Sequence, residues 1–163
     1  MKTFYLIRHA KSKHGLEFNS DFERTLDQRG KEEAVLVSSF LKDNGFTCEA
    51  FISSSAKRAL ETEQLFYETL DYQMVERENT ADLYLPSGEK IWEVINRQDD
   101  TYSQIAFFTH NPGVGEFLML LDEYKKTPTC FFGQFESKCN HWKEVDVRNT
   151  KLINFITPKI LSQ

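Results

Sequence analysis

The chain opens on a short apolar run, residues 4–7 (Phe4-Tyr5-Leu6-Ile7), that stops abruptly at Arg8-His9. Aromatic and branched residues in succession, closed by a polar stretch containing Gly15, predict a buried strand. The period then changes. Ala34, Val37, Phe40 and Leu41 recur at helical spacing over residues 31–41, with Asp27 placed to cap the start and Asn44-Gly45 to stop the end. Residues 48–52 read as a second strand, after which Ser53-Ser54-Ser55 are placed to cap a helix over residues 56–70 with Leu60, Phe66 and Leu70 inward. A weaker third strand is expected over residues 73–77, and Ser87-Gly88-Glu89 opens a helix through Ile91, Trp92 and Ile95. Residues 104–109 predict another apolar strand, with Pro112 in the first turn of a helix over residues 113–121. From Cys130 onward, short strand-like pieces alternate around His141-Trp142 and residues 152–156.

This alternation of strand and helix predicts an α/β fold: a three-layer α/β/α sandwich around a mostly parallel sheet, with antiparallel additions from the C-terminal part. No linker, repeat or low-complexity segment interrupts it, so residues 1–163 are expected to form a single domain.

Composition narrows the chemistry. A hydrophobic content of 40% and a charged content of 28% are those of a soluble globular chain. There is no run of 18 apolar residues and no signal-peptide pattern, which predicts a cytoplasmic protein without a membrane partner. The net charge of −5 argues against general nucleic-acid binding, so any anion site must come from a local cluster of cations. Cys48, Cys130 and Cys139 form no Cys-x-x-Cys pair and read as reduced thiols rather than disulfides or a zinc site.

Three expected strands end in the same way, with polar or cationic residues where the chain turns. The first ends in Arg8-His9, the second in Ser53-Ser54-Ser55 with Arg58 one turn further on, and the strand over residues 104–109 in Thr109-His110-Asn111-Pro112. In a parallel sheet those carboxyl ends share one edge, the edge at which α/β folds bind ligands. Arg8, His9, Arg58 and His110 are then expected to converge, with helix N-termini directing partial positive charge at the same place. Taken singly, each has an ordinary reading: a hydrogen-bonded structural histidine, or an arginine in a surface ion pair. His14, in a loop after Lys11 and Lys13, reads as solvated, and Ser12 as either a turn residue or a phosphate ligand.

Leu6-Ile7-Arg8-His9-Ala10, with Arg58 and Thr109-His110-Asn111-Pro112, resembles the histidine phosphatase superfamily, and the Arg-His-Ala-Lys-Ser run is most similar to its SixA-type phosphohistidine phosphatases. The branch's Arg-Pro-Leu-Thr-x-x-Gly stretch is matched by Arg24-Thr25-Leu26-Asp27-Gln28-Arg29-Gly30, with Thr25 in place of Pro and Asp27 in place of Thr. A serine, an arginine and a later threonine are present as Ser54, Arg58 and Thr62. The resemblance runs in order from residue 3 to about residue 120.

The resemblance implies that His9 is the nucleophile and passes through a phosphohistidine intermediate. Arg8, Arg24 and Arg58 would hold the phosphoryl oxygens, and His110 would add a donor or cation. It implies no metal and no other cofactor. For phosphate esters the family uses a carboxyl group after the third strand as general acid; Asp82 falls there, with Glu78 and Glu89 as rivals. The expected function is dephosphorylation of phosphohistidine on a protein such as a phosphorelay domain. The alternatives are a phosphomonoesterase acting on a small phosphate ester and a non-catalytic phosphate-binding adaptor.

Overall fold

A computed structural model describes residues 1–71 and 75–163. Its centre is a six-stranded sheet built from β1 (Lys2–Arg8), β2 (Ala50–Ser54), β3 (Glu76–Thr80), β4 (Gln104–Thr109), β5 (Phe132–Ser137) and β6 (Thr150–Ile156), in the order β3-β2-β4-β1-β5-β6. β1, β2, β3 and β4 pair in parallel, whereas β5 and β6 are added antiparallel beside β1. The helices are α1 (Gln28–Asp43), α2 (Lys57–Leu70), α3 (Gly88–Asn96), α4 (Gly113–Leu120) and the single turn α5 (Pro158–Leu161).

Alternation along β1 divides the core. Phe4 and Leu6 pack with Ile91 and Val94 of α3 and Val114 and Phe117 of α4, while Tyr5 and Ile7 pack on the other face with Ala34 and Val37 of α1 and Phe66 of α2. A parallel strand covered on both faces must be apolar throughout, which is why residues 4–7 show no polar alternation. The edge strand β3 carries the opposite pattern, Glu-Arg-Glu-Asn-Thr, and its exposed charges oppose pairing with another chain.

Asp27 caps α1 by accepting from the Gly30 amide at 2.7 Å, and Ser87 caps α3 by accepting from Lys90. Three local expectations change. Ser53-Ser54-Ser55 do not cap α2, whose N-cap is Ala56; the first two end β2, and Ser54 Oγ turns inward and accepts from the Ala56 amide at 3.2 Å. His141-Trp142 belongs to no strand. Asp100 accepts from the Trp142 amide and lies against the His141 ring, fixing a 3-10 turn over Trp142–Glu144 that buries the indole. The strand expected over residues 73–77 is observed as β3, and Gln73 and Met74 lie outside the described residues. Cys48, Cys130 and Cys139 are free thiols. Among the described residues, no helix is long and apolar enough to cross a membrane.

Sheet register places the site. Arg8 is level with Thr109, and Ser53 with Phe108, so β1, β2 and β4 deliver their carboxyl ends to one edge. α1 and α2 pack on one face and α3 and α4 on the other, leaving a crevice where the winding changes side.

Candidate active site

His9 follows β1 directly. Its amide donates to Thr109 O and its carbonyl accepts from Cys130 N, both at 3.0 Å, so the backbone is clamped between neighbouring strands. The side chain is only 6% exposed. Its Nδ1 lies 2.7 Å from the Ala10 carbonyl, and because a carbonyl only accepts, the proton is on Nδ1 and the lone pair on Nε2. That Nε2 accepts from Arg58 Nε at 3.3 Å. Burial above all, together with the charges of Arg58, Arg8 and Arg24, outweighs the Ala10 carbonyl and lowers the His9 pKa to about 3. At neutral pH His9 is therefore a buried, unprotonated imidazole with its lone pair held among cations.

Arg58 emerges from the first turn of α2 and is 2% exposed. Two hydrogen bonds lock that turn to β1: Thr62 Oγ1 accepts from the Ala10 amide at 3.0 Å and donates to Arg58 O at 2.7 Å. This explains the serine–arginine–threonine spacing noted in the sequence. Arg24 reaches the same cleft from the loop after β1. Gly30 holds that loop in place, since a Cβ there would stand 2.0 Å from the Lys11 carbonyl oxygen, so only glycine allows α1 to approach this closely. Arg8 donates to Thr127 O at 3.0 Å, while its Nε is buried without a protein partner among the described residues. Burial and the nearby Arg58 lower the Arg8 pKa.

The cleft has a volume of about 230 Å³ and its walls include Arg8, His9, Ser12, Arg24, Arg58 and Asn111. His110 stands behind it, its ring centre 4.9 Å from that of His9, with Nε2 2.8 Å from Ser54 Oγ and a buried Nδ1 lacking a protein partner among the described residues. Burial, then His9 and Arg58, lower the His110 pKa to about 2. The sequence-expected Arg8, His9, Arg24, Arg58 and His110 are thus brought together.

Asp82 is not. It is half-buried on a 3-10 turn, bound to Arg97 at 2.6 Å, and absent from the cleft wall. That hydrogen bond holds its carboxyl below the usual aspartate range, so position and protonation both argue against an acid role. Glu78 and Glu89 are likewise outside the cleft. The carboxylate that does line it is Asp21, which the sequence reading passed over. Asp21 Oδ2 accepts from Tyr84 OH at 2.6 Å and Arg58 Nη2 at 2.9 Å, and Oδ1 accepts from Arg24 Nε at 3.0 Å. Burial would raise its pKa, but these three partners together hold it well below the ordinary value. The only sequence trace of this role is the i,i+3 spacing of Asp21 and Arg24. His14 is exposed, as expected, and lines the cleft with its Nδ1 3.1 Å from Arg24 Nη1.

The two buried histidines predict a pH dependence of stability. In the unfolded chain both titrate near 6.5, whereas the folded chain resists protonating them until about pH 3 for His9 and about pH 2 for His110. Below pH 6.5 the unfolded state therefore binds more protons, and stability falls by up to about 1.4 kcal/mol per pH unit for each histidine. Urea unfolding of His110→Asn between pH 7 and 5.5, above the carboxylate range, is expected to show about half the wild-type slope. An unchanged slope would show that His110 already takes up its proton in the folded state.

An α/β sheet that gathers three guanidinium groups around one unprotonated imidazole forms a candidate site for an anionic ligand beside a potential nucleophile. The sequence profile of the histidine phosphatase superfamily (branch 1) matches residues 4–119, and the chain belongs to that family. An uncharacterized protein of Mycobacterium tuberculosis is 26% identical over 94% of this chain and 100% of its own. In fold, the chain is similar to the protein histidine phosphatase SixA in complex with tungstate (TM-score 0.81, 18% identity, 98% of this chain and 99% of that one). It is also similar to a mycobacterial glucosyl-3-phosphoglycerate phosphatase (TM-score 0.65, 10% identity, 93% and 97% covered). The family and its fold support phosphatase activity.

Proposed function

We propose that this chain is a cytoplasmic phosphatase that removes the phosphoryl group from phosphohistidine on a protein, by way of a phosphorylated His9. The observation that carries the choice of substrate is the protonation of the cleft. Among the described residues its lining carboxylate is Asp21, held ionised by Tyr84, Arg58 and Arg24, and Asp82 is paired with Arg97 outside it. An alkoxide leaving group needs an acid that these residues do not offer. Phosphohistidine protonated on its second ring nitrogen carries the needed proton itself, so its ring leaves as neutral imidazole when the P–N bond breaks.

In the first step the His9 Nε2 lone pair attacks phosphorus in line, and the electrons of the breaking P–N bond return to the substrate's imidazole. The charge that develops on His9 is met by its Nδ1–H donating to Ala10 O. Arg8, Arg24 and Arg58 hold the non-bridging oxygens, where planar guanidinium groups match a spreading negative charge. In the second step water attacks phosphorus, the electrons of the breaking P–N bond return to His9 Nε2, and both protons of the water leave on the phosphate. Close packing of the arginines in the free protein carries a repulsion that a bound phosphoryl dianion relieves, which favours the charged transition state.

The test is phosphate release from a phosphohistidine peptide and from a phosphoserine peptide of the same sequence. Release confined to phosphohistidine is expected, and Asp82→Asn should change it less than twofold. Equal release from both peptides would move the function to a general phosphomonoesterase, and binding of tungstate without turnover of either would favour the adaptor.

A further inference from the structure

A second depression lies beside the cleft. It encloses about 690 Å³ between the segment after α4 and the end of β6 with α5, and Thr129 lines both it and the cleft. Its floor is apolar, with Phe155 and Pro158, and Tyr124 (75% exposed) and Ile160 (45% exposed) stand at its sides. Its rim is cationic: Arg29, Lys125, Lys126 and Lys159 surround it with one carboxylate, Glu33. Arg29 is bound to that Glu33 at 2.8 Å, and Lys125 lies 3.8 Å from Glu123 and over the Phe155 ring. Lys126 and Lys159 have no carboxylate partner among the described residues and are exposed. On a chain of net charge −5, an apolar groove ringed by unneutralised lysines is complementary to an acidic, partly apolar surface.

The groove is mechanically continuous with the catalytic centre. Thr127, three residues from Tyr124 in the same segment, gives its carbonyl to Arg8 Nη1 and to Asn111 Nδ2, both at 3.0 Å. Leu85 stands exposed in the cleft wall, and Leu16 is exposed on the loop between His9 and Arg24 that supplies other residues of that wall. A small ester held in the cleft would reach neither the lysines nor the apolar floor of the groove, whereas a protein whose phosphorylated side chain enters the cleft must rest on the surface around it.

We propose that this groove is the docking site of the phosphoprotein substrate, receiving an acidic segment with apolar side chains that flanks the phosphorylated residue. This rests on the reading of the cleft as a protein phosphohistidine phosphatase. The groove would then set KM for the protein and leave the chemistry at His9 untouched.

The experiment compares wild type with Lys126→Glu/Lys159→Glu and with Tyr124→Ala on two probes. One is a histidine-phosphotransfer domain phosphorylated with phosphoramidate; the other is a phosphohistidine peptide too short to reach the groove. Both variants are expected to raise KM for the domain about tenfold with kcat within twofold, and to leave peptide turnover unchanged. Wild-type KM for the domain should rise with ionic strength, and that dependence should flatten in the double lysine variant. Wild-type turnover of both probes with no change in either variant would overturn the docking site and leave the cleft reading intact. An equal loss on domain and peptide would also overturn it, because the substitutions would then act on the catalytic centre. Failure of wild type on both probes would remove the substrate reading and the docking site together.

Discussion

His9→Ala is expected to lower phosphate release from phosphohistidine substrates by about 10⁴-fold or more, the scale on which removing a nucleophile acts. The expectation rests on geometry rather than on the presence of a histidine in a cleft. Of the two buried imidazoles, only His9 has its tautomer fixed by a carbonyl, which puts its lone pair on Nε2, where it meets the Arg58 Nε–H at 3.3 Å. His110 keeps its Nε2 engaged with Ser54 and stands outside the cleft wall. Rapid quenching in alkali, where phosphohistidine survives, should therefore trap phosphate on wild type and on His110→Asn but not on His9→Ala. Label recovered on His110, or turnover by His9→Ala within tenfold of wild type, would sink the assignment. The low pKa of His9 adds a second signature: the acidic limb of kcat/KM should carry no ionisation of His9 near 6.5, since the free protein keeps that ring neutral down to about pH 3.

The strand ends were legible in the sequence because chemistry and fold coincide there. A run such as Phe4-Tyr5-Leu6-Ile7 can only be buried, and the residues that terminate it must lie at the sheet edge. That reasoning places Arg8, His9 and His110 from local pattern alone, and Arg58 from its position one turn after β2. It fails where position depends on a loop. Asp82 follows β3 in sequence, yet a 3-10 turn carries it outward to Arg97, a partner 15 residues away that no local pattern indicates. Asp21 enters the cleft because Arg58 and Tyr84 hold it from two distant segments alongside its near neighbour Arg24, and long-range hydrogen bonds of that kind leave no periodic trace. Ser54 likewise reads as a helix cap from sequence and proves to be the partner of His110. The C-terminal strands are visible as strands, but their placement beside β1, which brings Phe155 of β6 to the floor of the groove, is a matter of topology.

Arg58→Lys is expected to cost about 10²–10³-fold in kcat/KM, the scale associated with one preorganised donor to a transition-state anion. Arg58 makes several contacts that an ammonium cannot reproduce together. Nε faces the His9 lone pair at 3.3 Å, Nη1 donates to Asp21 O at 2.7 Å and Nη2 to Asp21 Oδ2 at 2.9 Å, while the guanidinium lies 5.9 Å from the centre of the Tyr84 ring. A lysine keeps the charge but can occupy only one of these directions, so the nucleophile loses its aligned cation even though the electrostatic potential survives. Arg58→Ala should be worse, because it also removes the charge, and it carries a distinct mark. Arg58 is one of the cations that lower the His9 pKa, though burial acts more strongly, so its loss should move the His9 titration upward from about 3 while leaving it below 6.5. NMR titration of the His9 ring in Arg58→Ala measures this directly. A pKa that does not move would mean that burial alone keeps the nucleophile unprotonated, and that Arg58 serves the phosphoryl oxygens only.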